Sequence, residues 1–208
     1  GVADNGFGAQ SNSGTDSDIA AQADNSPESP RVTNVVVPPR QPNETVTAIH
    51  LTDGWTTQAT IGFSFGRVSD EYIAGDWDGN GSDSLGIRNG AMFYLRNALG
   101  DGPADIGFGY GRAGDELFLG DWDGNGTDTF AVRRGNAFHI RNSLSSGQAE
   151  KVVTYGRVGD EVFVGDWDGD GKDTFAVRRG NTYHVRNSMT SGPADIAINY
   201  GRATDEVV

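Results

Sequence analysis

Between residues 66 and 200 the apolar side chains come in short bursts, and the bursts recur every 45 residues. In the stretch 111–155, Glu116–Gly120 is a brief apolar run and Asp128–Arg134 alternates, with Phe130 and Val132 on one face. Ala137–Asn142 alternates again, Phe138 and Ile140 against His139 and Arg141, and Glu150–Tyr155 closes the unit. Alternation with a period of two over so few residues is the pattern of a strand, not a helix. The breaks carry turn residues: Arg134-Gly135-Asn136 here, and Asn89-Gly90 at the matching place one period earlier. Asn-Gly suits a tight hairpin, because such turns need positive φ. No helical periodicity runs through the repeats, so the spacing predicts four short antiparallel strands per unit.

The units are 66–110, 111–155 and 156–200; the second and third share 29 of 45 residues without a gap. Gln58–Phe65 matches Pro193–Tyr200 three periods on, so 45–65 reads as the back half of a repeat and 201–208 as the first strand of another. Four strands in about 45 residues is the size of a β-propeller blade, which buries its faces only against neighbouring blades. The expected fold is therefore all-β: a β-propeller-like array of four-stranded blades over 45–208. Strands from both chain ends, with Val32–Val37 added, would almost complete a fourth blade; the favoured reading is a piece of a longer array. Residues 1–44 are polar and acidic, with Phe7 the lone aromatic. They are expected to form a disordered leader or linker, since they offer too little apolar surface to offset ordering entropy.

Composition narrows the chemistry. The 31 glycines among 208 residues are about twice the ordinary share of roughly 7%, which suits many turns. A net charge of −13 repels phosphate and disfavours nucleic acid or an anionic membrane as partner, and favours cations. With no cysteine, disulfides, thiolate metal sites and a cysteine nucleophile are excluded. No apolar run approaches the length that spans a bilayer as a helix.

The candidate chemistry lies between the first and second strands of each unit. The loops are Asp76-Trp77-Asp78-Gly79-Asn80-Gly81-Ser82-Asp83, Asp121-Trp122-Asp123-Gly124-Asn125-Gly126-Thr127-Asp128 and Asp166-Trp167-Asp168-Gly169-Asp170-Gly171-Lys172-Asp173. Oxygen-bearing side chains fall at loop positions 1, 3, 5 and 8, and position 7 (Ser82, Thr127, Lys172) offers its carbonyl. Glycines at 4 and 6 let the backbone curl. Oxygen donors without nitrogen or sulfur define a hard-cation site, and calcium fits better than magnesium because it accepts six to eight oxygens in flexible geometry. Two carboxylates 4 Å apart repel by roughly 4 kcal/mol at an effective dielectric of 20, so without a cation the loops are expected to open. One ion per full repeat gives three in the chain. Position 12 is Ile87, Val132 or Val177, so these loops are not EF-hands.

The Gly165–Asp173 run, followed by an apolar strand, resembles the calcium loops of FG-GAP/VCBS-type (integrin α-like) propeller repeats. The longer run Gly165–Ser188 is similar to repeats appended to secreted actinobacterial cell-wall hydrolases. The resemblance covers 45–208. It implies a β-propeller, calcium in the loops, a secreted or cell-wall-associated location, and binding or adhesion. In one departure, the family's last acid stands at position 9, where this chain has Ser84, Thr129 and Thr174 and carries the acid at position 8.

Other residues add less. His139 and His184 occupy one repeat position, where the first unit has Tyr94; a catalytic base is not expected in duplicate, and no nucleophile elbow, Walker loop or zinc-protease motif is present. The chain is therefore read as non-catalytic. Trp77, Trp122 and Trp167 are expected to wedge between blades. Trp55 has no partner copy; with Arg133, Arg134, Arg178 and Arg179 at the hairpin tips it is a candidate ligand contact, although those arginines would equally suit salt bridges. The first functional expectation is a calcium-stabilised module that binds an extracellular glycan, a cell-wall polymer or another protein. The alternative is a structural self-assembly unit whose incomplete terminal blades exchange strands between chains.

Overall fold

A computed structural model describes residues 46–51 and 61–205. The polar leader, Val32–Val37, Trp55 and the last three residues of the strand expected at 201–208 lie outside the described residues, and 201–205 form a turn. Fourteen strands are present among them: β1 (Val46–Leu51), β2 (Ile61–Arg67), β3 (Glu71–Gly75), β4 (Ser84–Asn89), β5 (Met92–Leu95), β6 (Ile106–Gly109), β7 (Glu116–Gly120), β8 (Thr129–Arg134), β9 (Ala137–Arg141), β10 (Lys151–Thr154), β11 (Glu161–Gly165), β12 (Thr174–Arg179), β13 (Thr182–Val185) and β14 (Ile196–Asn199). No described helix is long and apolar enough to cross a membrane.

The strands make three four-stranded antiparallel meanders, β3-β4-β5-β6, β7-β8-β9-β10 and β11-β12-β13-β14, preceded by the β1-β2 pair. These are the predicted units, with strand bounds within about two residues of the pattern. Register repeats with them: Leu117 sits opposite Val132 and Val162 opposite Val177. Among the described residues no strand pairs the last sheet with the first.

Successive sheets meet face to face. Phe130 and Val132 of β8 enter one core with Trp77, Phe93, Leu95, Phe108 and Tyr110 of the preceding sheet. One period later Phe175 and Val177 of β12 join Trp122, Phe138, Ile140, Val153 and Tyr155. Phe63 and Phe65 of β2 meet Ile87 of β4 in the same way, so β1-β2 behaves as the outer half of a sheet. The alternation read in β8 suggested one buried face. The structure buries both: Ala131, on the opposite side from Phe130, belongs to the next core.

Two devices hold neighbouring sheets together. After each fourth strand a Gly-Arg-x-x-Asp turn starts the next sheet; Arg112 and Arg157 N–H donate to Asp115 and Asp160 Oδ2, each at 2.8 Å. Arg133, on β8, then reaches across: its guanidinium donates to the Arg157 and Asp160 carbonyls at 2.8 Å and to the Gly135 carbonyl at 2.9 Å. Arg88 and Arg178 make the corresponding bonds to residues 112 and 115, and 202 and 205.

Candidate metal centre

Each acidic loop leaves the end of the first strand of its sheet, and its conformation follows from the leading aspartate. Asp121 Oδ1 accepts from Gly124 and Asn125 N–H at 2.8 and 3.0 Å, and Oδ2 accepts from Gly126 N–H at 2.7 Å. Asp76 and Asp166 take the same three N–H groups of their own loops. Curling the backbone round one carboxylate requires positive φ at two places, and Gly124 and Gly126 supply it at 77° and 87°. The side chain at position 5 braces the exit: Asn80, Asn125 and Asp170 Oδ1 accept from the N–H of position 7.

In the third loop Asp166, Asp168 and Asp170 bring carboxylate oxygens within 4.8 Å of one another, all exposed. Three convergent oxygen donors with open solvent access fit a hard divalent cation. The first two loops place Asp76, Asp78 and Asn80, and Asp121, Asp123 and Asn125, at the same stations, with one formal charge fewer each. The expectation that bare loops open meets a counter-effect here. Burial would raise the Asp76 pKa, but N–H donors from Gly81, Asn80, Gly79 and Asp78 outweigh it and hold the group below the ordinary carboxylate range. Asp166 is lowered chiefly by the Gly171 N–H.

Position 8 serves a different purpose from the one its spacing suggested. Asp128 does not close its own loop: its Oδ2 accepts from the N–H of Asp76, in the preceding sheet, at 2.9 Å, while its own N–H donates to the Asp76 carbonyl at 2.8 Å. Asp173 and Asp121 repeat this reciprocal pair at the same distances. The loops are thereby chained from sheet to sheet. Gly75 and Gly120 make room: a Cβ on either would lie 2.9 Å from the clamping carboxylate oxygen. Burial raises the Asp128 pKa, against the Asp76 hydrogen bond, and the charges of Asp173, Asp83 and Asp76 raise it further. Asp83 is exposed, and no three-acid group among the described residues includes Asp83, Asp128 or Asp173.

The remaining candidates fall as follows. Trp77 and Trp122 are 3% and 5% exposed; Trp77 stacks on Phe130 and Trp122 packs at a tilt against Phe175 of the following sheet, whereas Trp167 is 41% exposed. Arg133 is the buried staple between the second and third sheets, and Arg178 makes the same bonds to the turn at 202–205. Arg134 and Arg179 pair with Asp115 and Asp160 in their own sheets, so all four tip arginines are engaged internally. The Thr127 and Lys172 side chains lie against Gly79 and Gly124 of the preceding loop, and Lys172 lines a cavity of about 400 Å³ between the second and third sheets. Asn142 and Asn187, which follow Arg141 and Arg186 at one repeat position, line it too, as does Lys151, which the repeat pattern passed over. The signal was present, since Lys151 stands where the other units have Ile106 and Ile196.

Comparison of the chain with family models, curated proteins and solved structures finds no match.

Proposed function

We propose that the chain is a non-catalytic, secreted, calcium-stabilised β-propeller module that binds an extracellular glycan or cell-wall polymer. The observation that carries the cation is the triad of Asp166, Asp168 and Asp170, repeated with Asn at position 5 in the two other loops. Calcium there would be held by positions 1, 3 and 5, with the position-8 acid acting on the neighbouring loop. Its chemistry is charge neutralisation: it offsets repulsion among the acids and stiffens loops already chained through Asp128 and Asp173. An ion that binds only the folded state stabilises it by mass action. The extracellular setting and the glycan rest on the FG-GAP-type loop resemblance.

The test is calcium titration of the full chain by calorimetry, with Asp123→Ala and Asn125→Asp variants. Three sites are expected in wild type. Asp123→Ala should remove one and lower the melting temperature in calcium but not in chelator, and Asn125→Asp should tighten one. Equal melting losses with and without calcium would rule the second loop out as an ion site.

One observation favours the alternative of self-assembly. Ile198 and Tyr200 are 49% and 75% exposed, whereas their counterparts Phe108 and Tyr110 are both 1% exposed beneath the next sheet. With Trp167 they leave the outer face of the third sheet uncovered by the described residues. Light scattering across a concentration series separates the readings: a constant monomer mass supports the binding module, and growing mass supports assembly.

A further inference from the structure

The three acidic loops share a motif but differ in what lies over them. Position 7 of the second and third loops rests on position 4 of the loop before it. Thr127 Oγ1 is 3.1 Å from where a Cβ on Gly79 would stand. One sheet on, Lys172 Cγ and Cε are 3.1 and 3.5 Å from the same place on Gly124. At Gly169 nothing among the described residues comes within 4 Å. A hydroxyl therefore covers the first loop, the aliphatic stem of a lysine covers the second, and the third is open.

The lysine brings a charge with it. Its ammonium stands one bond beyond Cε, on a stem that passes the glycine between Asp123 and Asn125, two of the second loop's oxygen donors. Lys172 and Asp123 line one recess, together with Lys151, Glu150 and Asp170. Glu150 is paired with Arg141 at 3.6 Å, and Asp170 belongs to Lys172's own loop, where its Oδ1 accepts from the Lys172 N–H at 2.9 Å. Asp123 has a further internal partner. Its Oδ2 accepts from Asn142 Nδ2 at 3.1 Å, whereas the matching acids Asp78 and Asp168 accept no side-chain hydrogen bond among the described residues. The second loop thus has a positive charge and an amide donor beside its acids, and it offers Asn125 where the third loop offers Asp170.

We propose that Lys172 is a built-in counter-charge for the second loop and that, with Asn142, it sets the order in which the loops take up a divalent cation: third, then first, then second. The proposal rests on the calcium reading and adds to it that three copies of one motif are unequal sites. In a water-like dielectric a positive charge a few ångströms from a divalent ion weakens its binding by about threefold to tenfold, and by less as salt rises. Without calcium the same charge offsets repulsion among the second-loop acids, so that loop depends least on the ion. The third loop, with three carboxylates and no cover, depends on it most.

The experiment titrates the full chain with calcium at low and at high monovalent salt. It follows the N–H chemical shifts of Gly81, Gly126 and Gly171, each of which donates to the leading aspartate of its own loop. The variants are Lys172→Met, which keeps the stem over Gly124 and removes the charge, and Lys172→Arg, which keeps the charge. Gly126 is expected to titrate last in wild type. Lys172→Met should tighten the second loop by about threefold to tenfold at low salt and by less at high salt. It should move the Gly81 midpoint little and lower the melting temperature in chelator, and Lys172→Arg should match wild type throughout. The proposal is overturned, with the calcium reading intact, if Gly126 titrates with or ahead of the other two in wild type, or if Lys172→Met leaves its midpoint or the chelator melting temperature unchanged. An equal gain in Lys172→Arg assigns the effect to the stem and overturns the counter-charge. No calcium-dependent shift at any of the three glycines overturns the calcium reading and this proposal with it.

Discussion

Asp128 shows how one carboxylate is set against its neighbours. Its Oδ2 holds the Asp76 N–H, yet burial and three nearby acids raise its pKa, so the charged form is disfavoured in the folded chain. The sign follows: the native state binds this proton more readily than the unfolded chain, so Asp128 costs stability at neutral pH, and that cost is relieved as pH falls through its raised pKa. Asp76 and Asp166 act in the opposite sense. Their pKa values are lowered, so they add stability above the ordinary carboxylate range and lose it as pH falls through the lowered value. Asp128→Asn keeps an acceptor for Asp76 and removes the charge; in chelator near neutral pH it should be at least as stable as wild type in urea unfolding, the gap closing on acidification. Asp128→Ala leaves the Asp76 N–H without its acceptor and should cost about 1–3 kcal/mol. Equal losses in both variants would show that charge is irrelevant to the clamp. Spacing alone could not reveal this role, because the partner lies 52 residues away in another unit. Local repetition identified the oxygen donors of each loop but said nothing of which loop the eighth position faces.

The strands were legible because each is short, bounded by glycine or asparagine, and present three times. What the pattern missed was burial on both sides of β8 and β12. Period-two alternation reports side-chain size, and small Ala131 and Ala176 look neutral in sequence although both are buried along with the large residues beside them. Arg133 likewise reads from sequence as a hairpin-tip cation, suited to a ligand or to a salt bridge. It is 7% exposed, and its bonds to the Arg157 and Asp160 carbonyls tie the second sheet to the turn that begins the third. The Glu116 pairing adds little, because that carboxylate is half exposed. Arg133→Met keeps the aliphatic packing and orphans the carbonyls, so it should cost about 2–4 kcal/mol in chemical denaturation. Glu116→Gln should cost less than about 1 kcal/mol.

Stability of the whole molecule lies between sheets more than within them. The aromatic cores straddle neighbours, and the loop tryptophans show the dependence directly: one residue in one motif is buried twice, where a following sheet covers it, and exposed once. Trp122→Ala should therefore cost about 3–5 kcal/mol, and Trp167→Ala within about 1 kcal/mol, by equilibrium unfolding of the full chain. Comparable losses would mean that Trp167 is covered in solution, as self-assembly predicts. The acidic loops run along the same interfaces, chained through Asp128 and Asp173, so an ion in any loop acts on the docking of two sheets. Thermal unfolding of the full chain in chelator, across a calcium titration, and in magnesium at matched ionic strength tests most directly whether the loops hold calcium. The melting temperature should climb with calcium and far less with magnesium, with the increment reduced by Asp166→Ala. The same melting temperature in chelator, calcium and magnesium would contradict calcium binding and leave the loops as polar turns.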